Sequence, residues 1–92
     1  MIKGYEIIFS GVVQGVGFRF SARNIAVKYK IKGWVTNLSD GRVKLLAEGQ
    51  REDFDTFFHE LKDKFKKCID DYIFQEREAS GNYKDFQIKF YT

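Results

Sequence analysis

Between Tyr5 and Tyr29 the spacing of apolar residues changes from two to three and four, and the change falls across a glycine-rich segment. Tyr5, Ile7 and Phe9 alternate, which places them on one face of a strand over residues 3–10. Ala22, Ile25, Ala26 and Tyr29 share the spacing of a buried helical stripe, and a helix is predicted over 18–29. Between them runs Gly11-Val12-Val13-Gln14-Gly15-Val16-Gly17-Phe18-Arg19, with three glycines in seven residues. Glycine lets a backbone turn sharply and approach a ligand with no Cβ in the way. A strand that turns into a helix over so few residues is half of a strand–helix–strand unit. That leaves few architectures open.

The rest of the chain continues the alternation. Residues 32–38 read as a second strand, Ser39-Asp40-Gly41 as a hairpin turn, and 42–48 as its return strand. On that strand Val43, Leu45 and Ala47 point one way, while Lys44, Leu46 and Glu48 point the other. A second helix over 52–66 carries Phe54, Phe57, Phe58, Leu61 and Phe65 on one side, a core stripe. Residues 69–76 read as a strand, 79–84 as a loop, and 86–90 as a last strand with Phe86, Ile88 and Phe90 aligned. The order is βαββαβ with one extra break near the end. It predicts an α+β, ferredoxin-like split-βαβ sandwich, an antiparallel sheet with two helices on one face. Residues 1–92 are read as one domain, too short to divide.

This topology makes strands one and two parallel, with the third between them. Their C-terminal ends share one edge of the sheet, roughly 10 Å apart across two strand spacings. The glycine turn leaves the first end, and Asn37 stands at the second. The amides of a helix N-terminus are unpaired and partly positive, so this turn is a natural seat for an anion. Arg19 stands where the turn becomes helix, a planar cation suited to phosphate oxygens. Arg19 and Asn37 are thus placed to face a small anion and a water from either side.

Each feature also has a plainer reading. The glycines would serve a sharp strand–helix connection, though the arginine argues for more. The segment matches neither the dinucleotide fingerprint nor the P-loop, since no Gly-Lys-Ser/Thr follows. It holds no cysteine, which excludes a covalent thiophosphate intermediate on the loop. By itself Asn37 reads as a strand cap or the start of the turn, and its edge position points to function. Cys68 reads as a small hydrophobe, His59 as solvated, and Lys62, Lys64, Lys66 and Lys67 as a wet helix face.

Composition narrows the classes. Sixteen basic residues face thirteen acidic ones, a net charge of +3 with the signs alternating, which is an ordinary surface rather than a nucleic-acid footprint. One cysteine forms no internal disulfide and fits a reducing compartment. With a single histidine beside it, zinc lacks a ligand set. No stretch resembles a signal peptide core or a membrane span. We expect a cytoplasmic monomer with no metal, no cofactor, no membrane and no nucleic-acid partner.

At residue level the chain resembles the acylphosphatase family. Ser10-Gly11-Val12-Val13-Gln14-Gly15-Val16-Gly17-Phe18-Arg19 is similar to its signature, a glycine-flanked Val-Gln-Gly-Val segment ending in Phe-Arg. The segment Gly33-Trp34-Val35-Thr36-Asn37-Leu38-Ser39-Asp40-Gly41, then Val43 and Ala47-Glu48-Gly49, resembles a second family segment, and Phe86-Gln87-Ile88 the closing strand. The resemblance implies that Arg19 and the amides of Gln14, Gly15, Val16, Gly17 and Phe18 hold phosphate, and that Asn37 orients the attacking water. It implies hydrolysis of a small-molecule acyl phosphate, a carboxyl-phosphate mixed anhydride, to a carboxylate and inorganic phosphate, without metal or covalent intermediate. Val12 departs from a position that is frequently basic, and residues 66–69 lack the usual proline. Those departures bear on substrate affinity and loop detail.

Two other readings compete. A silent domain of the same fold would keep the phosphate seat for binding or regulation. An RNA-binding module would stack bases on aromatics of the open sheet face. There strand one offers Glu6 and Ile8, and strand three offers Lys44, Leu46 and Glu48, which is no aromatic platform.

Overall fold

The computed structural model describes residues 1–90. Five strands and two helices follow in the order β1 (Ile2–Gly11), α1 (Phe18–Lys28), β2 (Lys32–Asn37), β3 (Val43–Gln50), α2 (Arg51–Lys64), β4 (Ile69–Glu78) and β5 (Phe86–Lys89). They form one sheet in the spatial order β4-β1-β3-β2-β5. The ferredoxin-like α+β architecture is as expected, with β3 between β1 and β2. One feature of the sheet differs from expectation. It is mixed rather than wholly antiparallel, because β5 adds to the outer edge of β2 in parallel. A strand pairs with whichever edge remains open, and the loop before β5 is long enough to carry the chain there.

Tyr5, Ile7 and Phe9 of β1 and Val43, Leu45 and Ala47 of β3 line the face beneath the helices, all fully buried. Opposite them lie Ala22, Ile25 and Ala26 of α1 and Phe54, Phe57, Phe58 and Leu61 of α2. Tyr5 stacks on Phe54 with ring centroids 3.8 Å apart, so the two layers lock through aromatic contacts as well as apolar area. No helix among the described residues is long and apolar enough to cross a membrane.

The open face is less bare than its sequence pattern predicts. Leu46, Glu48 and Thr36 are buried there, and the segment between β4 and β5 reaches back over Glu48 and Trp34. Glu48 accepts hydrogen bonds from the Ser80 amide at 2.7 Å, the Ser80 hydroxyl at 3.0 Å and the Gly81 amide at 3.1 Å. Trp34 also sits on this face, donating its Nε1–H to the Tyr83 hydroxyl at 3.1 Å. Phe90 is a second correction. Aligned by sequence with core residues, it lies just beyond β5 and is 63% exposed, where Phe86 is 4%.

Candidate active site

Two buried side chains hold the glycine loop. Val13 and Phe18 are each 1% exposed, and the Phe18 ring packs 4.9 Å from both Phe9 and Phe65, centroid to centroid. The side chain of Phe18 is therefore core, and only its amide is available to a ligand. Between these two pegs Gly15, Val16 and Gly17 lie exposed. The chain leaves β1 at a bulge, where Gly11 has φ 125° and a Cβ would lie 2.2 Å from the Cys68 carbonyl oxygen. The Val12 amide donates to that same oxygen at 2.9 Å. The loop thus starts from a point only glycine fits.

At its far end Gly17 adopts the left-handed conformation, φ 80° and ψ 17°, and begins α1. No side chain caps this helix, and its first turn holds no acidic residue. Among the described residues the N–H groups of Gln14, Gly15, Val16, Gly17 and Phe18 donate to no backbone carbonyl. They form a run of unused donors at the positive end of a helix.

Gln14 has a further use that its residue type alone did not reveal. Its side-chain Nε2 donates to the carbonyls of Leu38 at 2.8 Å and Arg42 at 3.0 Å, tying the loop to the turn after Asn37. That turn is braced locally. Asp40 accepts from the Arg42 amide at 3.1 Å and from Arg42 Nε at 2.9 Å, and the Arg42 amide first, then its guanidinium, hold the Asp40 carboxyl below the usual range.

Asn37 ends β2 on the helix side of the sheet, paired with Val43. Its Oδ1 is buried and accepts no hydrogen bond within the protein. An acceptor left so costs about 1–3 kcal/mol, which marks the atom as one awaiting a partner. Arg19, second residue of α1, is half-buried, and its guanidinium carbon lies 5.1 Å from the centre of the Phe90 ring. The strand order puts β3 alone between the ends of β1 and β2, so the loop and Asn37 are neighbours at one edge. Unbonded donors and a buried, unpartnered acceptor thus lie at the same edge. Among the described residues no three His, Cys, Asp or Glu side chains cluster to hold a metal ion.

Volume does not mark this place. A cleft of about 540 Å³ opens at the opposite end of the sheet, between Ile2, Val27, Ile31 and Phe86. Its buried carboxylate, Glu48, is already bonded to Ser80 and Gly81. Polar groups that are fully satisfied have little to offer a ligand.

A model of the acylphosphatase family matches residues 5–88. The acylphosphatase of Bacillus subtilis (strain 168) is 40% identical over 82 residues, spanning 87% of this chain and 90% of its own. That of Methanospirillum hungatei JF-1 is 39% identical over 90 residues, spanning 96% and 98%. The crystal structure of acylphosphatase from Bacillus subtilis superposes with a TM-score of 0.86 at 35% identity, covering 98% of this chain and 100% of that one.

Proposed function

The chain belongs to the acylphosphatase family and is an enzyme that hydrolyses acyl phosphates; from that premise we propose that Arg19, Asn37 and the amides of Gln14, Gly15, Val16, Gly17 and Phe18 perform the reaction. The observation that carries this reading is the run of unused amides at the start of α1. They receive the phosphoryl oxygens of the substrate, and Arg19 closes the ring with its planar fork of N–H donors.

An acyl phosphate is already activated, because a carboxylate leaves readily. Phosphoryl transfer then depends on positioning and on stabilising charge across the three equatorial oxygens. Asn37 Oδ1 accepts one O–H of the attacking water and turns a lone pair of that water toward phosphorus. The water oxygen bonds to phosphorus as the bond to the acyl oxygen breaks, and the carboxylate departs with that electron pair. An amide is too weak a base to take the proton, so it passes to a phosphoryl oxygen. Substrate dianion and water leave as carboxylate and dihydrogen phosphate.

The test is steady-state hydrolysis of an aryl acyl phosphate. Asn37→Ala lowers kcat by about 10²-fold or more, the loss expected for one oriented polar group in a transition state. Arg19→Lys falls comparably, because a point charge does not replace a fork. Near wild-type turnover by both folded variants would refute the assignment. We further read residues 1–92 as one domain and the enzyme as a cytoplasmic monomer, on its lone Cys68 thiol and mixed-charge surface; sedimentation at assay concentration checks the monomer.

A further inference from the structure

Phe90 is a large, mostly exposed side chain beside Arg19 that takes no part in the reaction proposed for this site. β5 runs parallel to β2, with Gly33 beside Phe86 and Thr36 beside Lys89. The strand ends at Lys89, and Phe90 follows it directly. Its contact with Arg19 of α1 puts the ring on the helix side of the sheet. Its ring meets the Arg19 guanidinium there at 5.1 Å, yet stays 63% exposed. Burial of apolar surface does not account for a ring left mostly in water.

We propose that Phe90 is a positioning residue for phosphate binding: its ring face holds the Arg19 guanidinium so that the N–H donors at the rim point to the phosphoryl group. This rests on the reading that Arg19 grips the phosphate. An arginine with that task must be held while its donors stay free. A carboxylate would hold it through the same N–H groups the substrate needs. An aromatic ring attracts the cation through its π face and leaves the in-plane donors available.

Three of the other four arginines show the contrast, while Arg23 lies over the ring of Phe20, a neighbour three residues back on its own helix, at 5.5 Å. Arg51 spends its donors on Asp55 at 3.2 Å and Glu76 at 3.0 Å, Arg42 on Asp40 at 2.9 Å, and Arg77 on Glu6 at 2.6 Å. Among the described residues no hydrogen bond or ion pair engages the Arg19 guanidinium. Holding a flexible side chain beforehand also removes part of the ordering cost that binding otherwise bears. Such support acts on ground state and transition state alike, so it is expressed in KM more than in kcat.

The experiment measures kcat and KM for an aryl acyl phosphate, inhibition by inorganic phosphate, and the melting temperature. Phe90→Ala raises KM and the phosphate inhibition constant by about three- to ten-fold, with kcat within about two-fold. Phe90→Leu behaves like Phe90→Ala, because it keeps apolar bulk without a π face, and Phe90→Trp restores wild-type values. In an Arg19→Ala background, Phe90→Ala adds nothing. Should Phe90→Ala fail to fold, the contrast of leucine with tryptophan still decides.

A leucine variant as good as wild type overturns the proposal, since bulk alone would then suffice. So does an alanine variant with unchanged constants while Arg19→Ala loses phosphate binding, which leaves the phosphate site intact. If Arg19→Ala itself changes neither inhibition nor turnover, the site reading fails and this proposal fails with it.

Discussion

The two helices of this fold begin in opposite electrostatic states. α2 starts straight out of β3 with Glu52 and Asp53 in its first turn, two carboxylates that complement the positive end of its dipole. α1 starts at left-handed Gly17 with no acid in its first turn and Arg19 as its second residue; neither helix has a side-chain cap, and α2 also opens on an arginine, Arg51. A cation beside a helix N-terminus is repelled by it, and among the described residues the five amides before it donate to no backbone carbonyl. For stability alone α1 begins badly. The difference lies in the acids: two carboxylates of the protein answer the positive end of α2, and none answers that of α1. At α1 that positive end is open to an anion, which is what the proposed site asks of it.

That contrast can be broken most severely by making α1 resemble α2. Val16→Glu places a fixed carboxylate on the exposed crest of the loop, where it competes for the amides and repels the substrate dianion. Juxtaposed like charges cost several kcal/mol, so kcat/KM drops by about 10²-fold or more in the aryl acyl phosphate assay. A variant that retains activity would show that the loop crest does not face substrate.

Binding offers a second, smaller effect. Inorganic phosphate at about 100 times its dissociation constant stabilises the wild type by about 2.7 kcal/mol when only the folded state binds it. Thermal melts should show that rise, and Arg19→Ala should lose most of it. An equal rise in both proteins would place the anion elsewhere. The smallest effect sharpens the other half of the comparison. Neutralising the α2 start with Glu52→Gln and Asp53→Asn lowers the melting temperature by about a few degrees. It leaves kcat and KM unchanged, because that helix start holds no substrate. A clear change in kcat would mean that the two helix starts are coupled.

Much of this was readable along the chain because the signals are local. The period change across 10–19 announced a strand, a tight turn and a helix, and those elements occur at β1 and α1. Arg19 and the loop amides lie within six residues of one another, so their proximity needs no tertiary argument. Asn37 was placed by topology, which followed from the handedness of a strand–helix–strand crossover. What escaped depended on distant packing. Glu48 was read as facing solvent, and only the return of Ser80 and Gly81 over it made it a buried acceptor. The Gln14 side chain reads as one more polar group until the hairpin carbonyls arrive opposite it. Phe90 alternates with core residues, but the strand ends one residue earlier and the ring is left mostly exposed against a guanidinium.

The residues alone determined the elements, through their apolar spacing, and the kind of chemistry, through a glycine turn, an arginine and an asparagine. The tertiary structure alone decided that α1, β2 and β5 come together at one edge, with Phe90 against Arg19. Backbone hydrogen bonds between strands are the same whatever the side chains, so the last strand's choice of edge and direction is written in the assembled sheet and not in its own four residues.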